Sequence, residues 1–155
     1  MTETEARTRS AGETEALGES LAAELSPGDV VYLEGELGAG KTAFARGVAR
    51  GLGASERDVA SPTFALLHEY AGPSGKVVLR HLDLYRLGDS ARELEVLGIP
   101  ESMEGAPVCI EWPRAALRGV LPPTVEVRID TKPGGEDRRV SIRRSVEGAA
   151  ARTPR

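Results

Sequence analysis

Three hydrophobic patterns recur along the chain: apolar residues four apart, short unbroken apolar runs, and strict alternation. They predict amphipathic helices, buried strands and half-exposed strands respectively. Leu17, Leu21 and Leu25 fall on one helical face behind Ser10-Ala11-Gly12-Glu13, whose S-x-x-E spacing is that of a capping box. A helix over residues 10–25 is expected, ended by the Ser26-Pro27-Gly28-Asp29 turn. Val30-Val31-Tyr32-Leu33 is an unbroken run and reads as a buried strand, and Phe44, Val48 and Leu52 give a second helix, over residues 42–52, its apolar stripe. Gly51 and Gly53 mark that helix's C-terminal end.

Residues 64–70 and 76–84 are extended stretches on either side of Gly72-Pro73-Ser74-Gly75, which predicts an antiparallel hairpin. A short helix carrying Glu93 and Glu95 is expected over residues 90–97, then a strand Pro107-Val108-Cys109-Ile110 ending at Glu111-Trp112-Pro113, and a short helical segment before Pro122-Pro123. Val125, Val127 and Ile129 alternate with Glu126 and Arg128, and beyond Pro133-Gly134-Gly135 the alternation resumes through Val140 and Ile142, giving a second hairpin. The whole predicts one α/β domain over residues 10–144, a P-loop NTPase-like sandwich with a mixed parallel and antiparallel sheet flanked by helices. Residues 1–9 are polar and read as a flexible tail, or at most a short edge strand, and the Ala- and Arg-rich residues 145–155 as disordered.

Length and composition fit this picture: 155 residues, 40% hydrophobic and 28% charged, make one ordinary globular domain. Aromatics are only 4%, so the core must be built from Val, Leu, Ile and Ala, which suits strands covered by helices. A net charge of −4 and a pI near 5.3 argue against unaided binding of nucleic acid through a broad basic surface. Cys109 is the single cysteine and sits inside an apolar run, so it reads as a core residue, with neither a disulfide framework nor a cysteine metal site. No apolar stretch approaches 18 residues and the N-terminus carries no signal-like segment, so a cytoplasmic protein with no membrane contact is expected.

The chemistry concentrates in Gly35-Glu36-Leu37-Gly38-Ala39-Gly40-Lys41-Thr42, which fits G-x-x-x-x-G-K-[ST] between a predicted strand and a predicted helix. Glycines allow positive φ, so successive N–H groups of Leu37, Gly38, Ala39, Gly40, Lys41 and Thr42 can form a concave nest for phosphate oxygens at the helix's positive end. Lys41 would sit on the β- and γ-phosphates and the Thr42 hydroxyl on Mg²⁺. Hydrolysis needs an acid near the metal and a group that orients water. Glu111 ends an apolar run and is the better candidate for the Mg²⁺ shell, whereas Asp83 follows a run broken by polar residues and is better suited to positioning water. Either acid could also simply cap a strand. Ser61-Pro62-Thr63 occupies the place of a γ-phosphate-sensing switch, though for a bare tripeptide a Ser-Pro turn is the commoner explanation. His81 reads as a packed or hydrogen-bonded histidine before a base, and Trp112, the sole tryptophan, as a site or partner contact or a half-buried anchor. Lys132, Arg138, Arg139, Arg143 and Arg144 form a basic cluster whose default reading is a solvated strand face, with RNA or an acidic partner as the alternative.

Taken together in order and spacing, the phosphate loop, Phe44, Arg46-Gly47, Leu52-Gly53, Ser61-Pro62-Thr63-Phe64, His81-Leu82-Asp83-Leu84-Tyr85-Arg86-Leu87, Leu97-Gly98 and Ile110-Glu111-Trp112-Pro113 resemble the TsaE (YjeE) family over residues 13–130. The resemblance implies a small bacterial ATPase required for threonylcarbamoyladenosine modification of tRNA, acting with TsaD and TsaB and meeting tRNA only through that complex. By the same resemblance, Lys41, Asp83, Glu111 and Thr63 are the expected catalytic residues, Thr42 and Glu111 the Mg²⁺ ligands, and ATP the nucleotide. Two departures bear on this: Ala43 stands where the family commonly has a second Thr, and Glu36 replaces the usual Asp. The alternatives are a nucleotide-gated assembly module with little hydrolysis and a small-molecule kinase, for which the chain has no evident Arg-rich lid. A GTP-dependent switch is disfavoured because the chain has no N-K-x-D element.

Overall fold

The computed structural model describes residues 2–55, 59–60, 67–85, 103–132 and 134–145. Among them, β1 (Thr2–Thr8), β2 (Val30–Glu34), β3 (Val59–Ala60), β4 (Leu67–Ala71), β5 (Val77–Asp83), β6 (Val108–Glu111), β7 (Val125–Thr131) and β8 (Arg138–Arg144) form one sheet in the order β1-β8-β7-β2-β6-β5-β4-β3. The central pairs β7/β2, β2/β6 and β6/β5 are parallel, and antiparallel hairpins extend both edges. The mixed α/β sheet expected from the sequence is the one found. The expected helix over residues 90–97, the Ser61-Pro62-Thr63 segment and the tail from residue 146 lie outside the described residues.

The unbroken apolar runs are the strands covered on both faces. In β2, Val31 and Leu33 join a core formed with α1 (Ala11–Ala22) and α2 (Lys41–Gly51), while Val30 and Tyr32 point into a second core with Leu82, Ile110 and Leu117. Side chains alternate across a strand, so a strand buried on both faces has no polar position to spare. Strand β6, Val108–Glu111, is buried throughout for the same reason, and Cys109 is a sealed core residue whose thiol is pushed well up by burial.

Of the two readings of the N-terminal residues, a flexible tail or a short edge strand, the structure has the strand, at the end of the sheet order. Thr2–Thr8 pairs with β8 along its full length, from Thr2 opposite Arg144 to Thr8 opposite Arg138, although only Thr8 is buried. Main-chain pairing and cross-strand charge hold it: Arg139 Nη2 lies 2.9 Å from Glu5 Oε2, and Arg143 Nη2 3.5 Å from Glu3 Oε2. Neither leaves an apolar signature, so hydrophobic periodicity alone does not choose between tail and edge strand.

Of the expected capping box, the Ser10 bond to the Glu13 N–H forms, while the Glu13 carboxylate reaches past the N-cap to the Arg9 N–H. Ser10 Oγ accepts from Glu13 N at 3.1 Å, and Glu13 Oε1 accepts from Arg9 N at 2.9 Å. The helix so started stops at Ala22, short of the expected Leu25, which still packs against the core. It then crosses α2 at backbone contact. A Cβ added to Gly47 would overlap the Glu15 carbonyl and one on Gly51 would come within 2.6 Å of Glu19 O, while Gly18 lies equally close to the Phe44 carbonyl. Close approach here needs glycine because a methyl group has nowhere to go. Gly47→Ala is therefore expected to cost about 1–3 kcal/mol by forcing the helices apart, lowering the melting temperature by roughly 4–10 °C. Gly119→Ala, where an added Cβ meets nothing within 4 Å, is the control, and a thermal melt of the two variants checks both.

Candidate active site

The glycine-rich loop runs from the end of β2 into α2 as its sequence predicts. Gly38 and Gly40 have φ of +78° and +111°, and Gly40 is the left-handed residue from which α2 starts, its carbonyl accepting from Phe44 N at 2.9 Å. A side chain at either glycine would be strained. The loop forms one wall of a cavity of about 630 Å³, with Leu37, Gly38, Gly40, Lys41, Thr42 and Ala43 on that side and Asp83, Tyr85, Glu111 and Trp112 facing them. Ala39 differs from its loop neighbours. Its side chain is fully buried and its N–H donates to Glu36 O at 3.0 Å, so that amide closes the loop instead of facing the cavity.

The two acids arrive on adjacent parallel strands, Asp83 of β5 in register with Glu111 of β6. They differ in surroundings. Glu111 is 4% exposed, and its Oε2 accepts from Thr42 Oγ1 at 3.0 Å and contacts His81 Nε2 at 2.6 Å. An ionised carboxylate only accepts, so the His81 proton facing it is on Nε2. Burial pulls the Glu111 pKa up, but the bonds from His81 and Thr42 and the charge of Lys41 more than offset it and hold the carboxyl below its ordinary value. Both bonds converge on Oε2, and among the described residues no hydrogen bond reaches Oε1. Asp83 is exposed, its Oδ1 accepting from Tyr85 N at 3.0 Å.

Lys41 is almost wholly buried, its Nζ donating to Gly35 O and lying 3.5 Å from the centroid of the Trp112 ring. Burial pushes its pKa below the ordinary lysine value, with Glu111 and Asp83 pulling the other way. Trp112 is half-buried, touches Tyr85 edge-on at 4.9 Å, and at φ +58° is the single non-glycine residue with positive φ among those described. Strain of this kind persists only where the surroundings enforce it.

Of the residues singled out from sequence, the fold brings Leu37, Gly38, Gly40, Lys41, Thr42, Asp83 and Glu111 to one cavity, while Thr63 lies outside the described residues. The sequence reading gave Tyr85 no role at the site and left that of Trp112 open. The signal was available in their spacing: each follows a strand-terminal acid by one or two residues. The basic cluster is largely paired within the chain, Arg139 to Glu5, Arg143 to Glu3, and Arg144 to Glu24 at 2.6 Å. Arg138 turns toward the phosphate loop instead, with Nε 3.0 Å from Ala39 O. Among the described residues no helix is long and apolar enough to cross a membrane.

Strand, glycine-rich turn, helix and an acid from the neighbouring parallel strand make this a mixed α/β protein whose turn carries the G-x-x-x-x-G-K-[ST] pattern. The chain belongs to the TsaE family: the model described as "Threonylcarbamoyl adenosine biosynthesis protein TsaE" matches residues 8–140. The chain is 44% identical over 134 residues to the tRNA threonylcarbamoyladenosine biosynthesis protein TsaE of Bacillus subtilis, covering 86% of this chain and 80% of that one. It is 36% identical over 118 residues to the protein of the same name in Streptomyces coelicolor, covering 76% and 79%. Among solved structures it is similar to the crystal structure of Bacillus subtilis YdiB, with a TM-score of 0.69 and 30% identity over 97% of this chain and 90% of that one.

Proposed function

We propose that the chain is a Mg²⁺-dependent ATPase serving threonylcarbamoyladenosine modification of tRNA in the cytoplasm, with TsaD and TsaB as its partners. The observation that carries this reading is the convergence of Lys41, Thr42 and an ionised Glu111 on one cavity at the start of α2, in a chain of the TsaE family. The free N–H groups of the loop and the N-terminus of α2 receive the β- and γ-phosphates. Lys41 leaves the Trp112 face to meet them, exchanging one set of partners for a stronger, doubly charged one.

The donor set suits a hard cation: a hydroxyl and a carboxylate 3.0 Å apart, with the phosphates and water supplying the rest of the shell. Thr42 and Glu111 would hold Mg²⁺, which when bound draws off charge from the β- and γ-oxygens. His81 fixes the Glu111 carboxylate, and Asp83, exposed on the opposite wall, orients the attacking water. The acidic net charge and the pairing of the arginine cluster support contact with tRNA only through the partner proteins. Ala43 lines the cavity without a hydroxyl, the one observation that favours the second reading, a nucleotide-gated assembly module in which binding outweighs hydrolysis.

Calorimetric titration with ATP, ADP and GTP, with and without Mg²⁺, followed by phosphate release alone and with TsaB and TsaD, tests the proposal. Tighter binding of ATP with Mg²⁺ and slow turnover accelerated by the partners are expected. ATP-driven complex formation without phosphate release selects the gate, and phosphate passed to an acceptor other than water selects a kinase. No binding of ATP overturns all three.

A further inference from the structure

Arg138 belongs to the basic cluster by sequence and to the phosphate loop by geometry. Its Nε donates to Ala39 O at 3.0 Å and its Nη2 reaches Gly38 O at 3.5 Å, while Nη1 donates to Gly135 O and Asp137 O at 3.1 Å each. One guanidinium thus ties the turn leading into β8 to the loop that follows β2, 99 residues away along the chain. It reaches the loop through two carbonyl oxygens: the Gly38 carbonyl belongs to the peptide unit whose Ala39 N–H closes the loop on Glu36, and the Ala39 carbonyl to the unit whose Gly40 N–H is placed for an anion nest. The Ala39 carbonyl shares its peptide plane with the Gly40 N–H. A cation bonded to the one polarises the other and strengthens it as a donor. Ala39 N–H, spent on Glu36 O, fixes the same stretch from within the loop.

We propose that Arg138 is a positioning residue for phosphate capture: from β8 it braces the phosphate loop through the carbonyls of Gly38 and Ala39, holding the nest formed before nucleotide arrives. The inference rests on the proposed nucleotide-binding function. Arg suits the task and Lys does not, because only a planar fork can serve both loop carbonyls and the β7–β8 turn together. The brace explains why one arginine of the cluster stays turned inward while Arg139 and Arg143 pair with Glu5 and Glu3 across the β1 edge. It also makes the β7–β8 hairpin part of the site without touching the ligand.

The test is calorimetric titration of Mg-ATP and Mg-ADP into the full chain and its Arg138→Ala, Arg138→Lys and Arg143→Ala variants, each first checked by circular dichroism and thermal melting. Arg138→Ala should weaken both nucleotides by about tenfold, the scale of a lost charge-assisted hydrogen-bond pair, and Arg138→Lys should recover only part. Arg143→Ala should stay within twofold of the unmodified chain. Should Arg138→Ala not fold, Arg138→Lys carries the test alone, and affinity within twofold of the unmodified chain overturns the brace. Full recovery by Lys beside a loss in Ala assigns the effect to charge and also overturns it, as does an undiminished Arg138→Ala. Failure of the unmodified chain to bind either nucleotide would count against the proposed function itself.

Discussion

Replacing Lys41 by Met is expected to weaken ATP binding by about 100-fold and to abolish turnover, while leaving the fold as stable as before or more so. The two halves of that expectation come from one observation. Lys41 is buried against Trp112 with its pKa pushed down, so its charge is held at a desolvation cost that the Gly35 carbonyl, the Trp112 ring and the nearby acids offset only in part. Met keeps the long apolar stem that packs there and removes the ammonium, which relieves that cost. With ATP present the balance reverses, because a doubly contacted phosphate chain loses two charge-assisted bonds of about 1.5–3 kcal/mol each. Trp112 is the only tryptophan, so its fluorescence reports directly on the ring that Lys41 covers. A shifted emission with an unchanged or raised melting temperature and lost ATP affinity is the expected set. Retained turnover in the variant would remove the loop from the mechanism.

The parts of this molecule that sequence reveals are those written as hydrophobic period or as a spaced motif. β2 and β6 are legible because double-sided burial leaves no polar residue in Val30–Leu33 or Val108–Ile110, and the acid that ends the second run is the one that meets Thr42. Asp83 follows a run broken by polar residues, which makes it the lesser metal candidate by sequence, and in the fold it is exposed beside the buried Glu111. What stayed hidden is carried by main-chain hydrogen bonds and long-range charge. β1 has no apolar face to announce it, and Arg138 is indistinguishable in sequence from Arg139, although alternation across the strand sends one toward the phosphate loop and the other to Glu5. The strained φ of Trp112 has no sequence signature of its own, since Pro113 after it disfavours only the helical region.

Glu111→Gln is expected to cut turnover by about 10²- to 10³-fold and, more tellingly, to separate the effects of the metal from those of the nucleotide. Gln preserves the shape and one accepting oxygen for Thr42 and His81, so the loop should stay in place; what it loses is the charge. On the proposed function the buried carboxylate would repel metal-free ATP, and with Thr42 it would hold Mg²⁺, whose charge would turn that repulsion into attraction. Metal-free ATP should therefore bind the variant at least as tightly as the unmodified protein, while the gain in affinity on adding Mg²⁺ should largely vanish. Titrations in Mg²⁺ and in chelator measure both. The acid limb of stability supplies a second reading. Because the native Glu111 pKa lies below its ordinary value of 4.5, the carboxylate stabilises the fold above that value, and the contribution is lost as pH falls through the depressed native one. Glu111→Gln should flatten that part of the profile and leave the neutral region's pH dependence unchanged. A variant that keeps its full Mg²⁺ response would move the metal away from Glu111, leaving Asp83 as the acid to test.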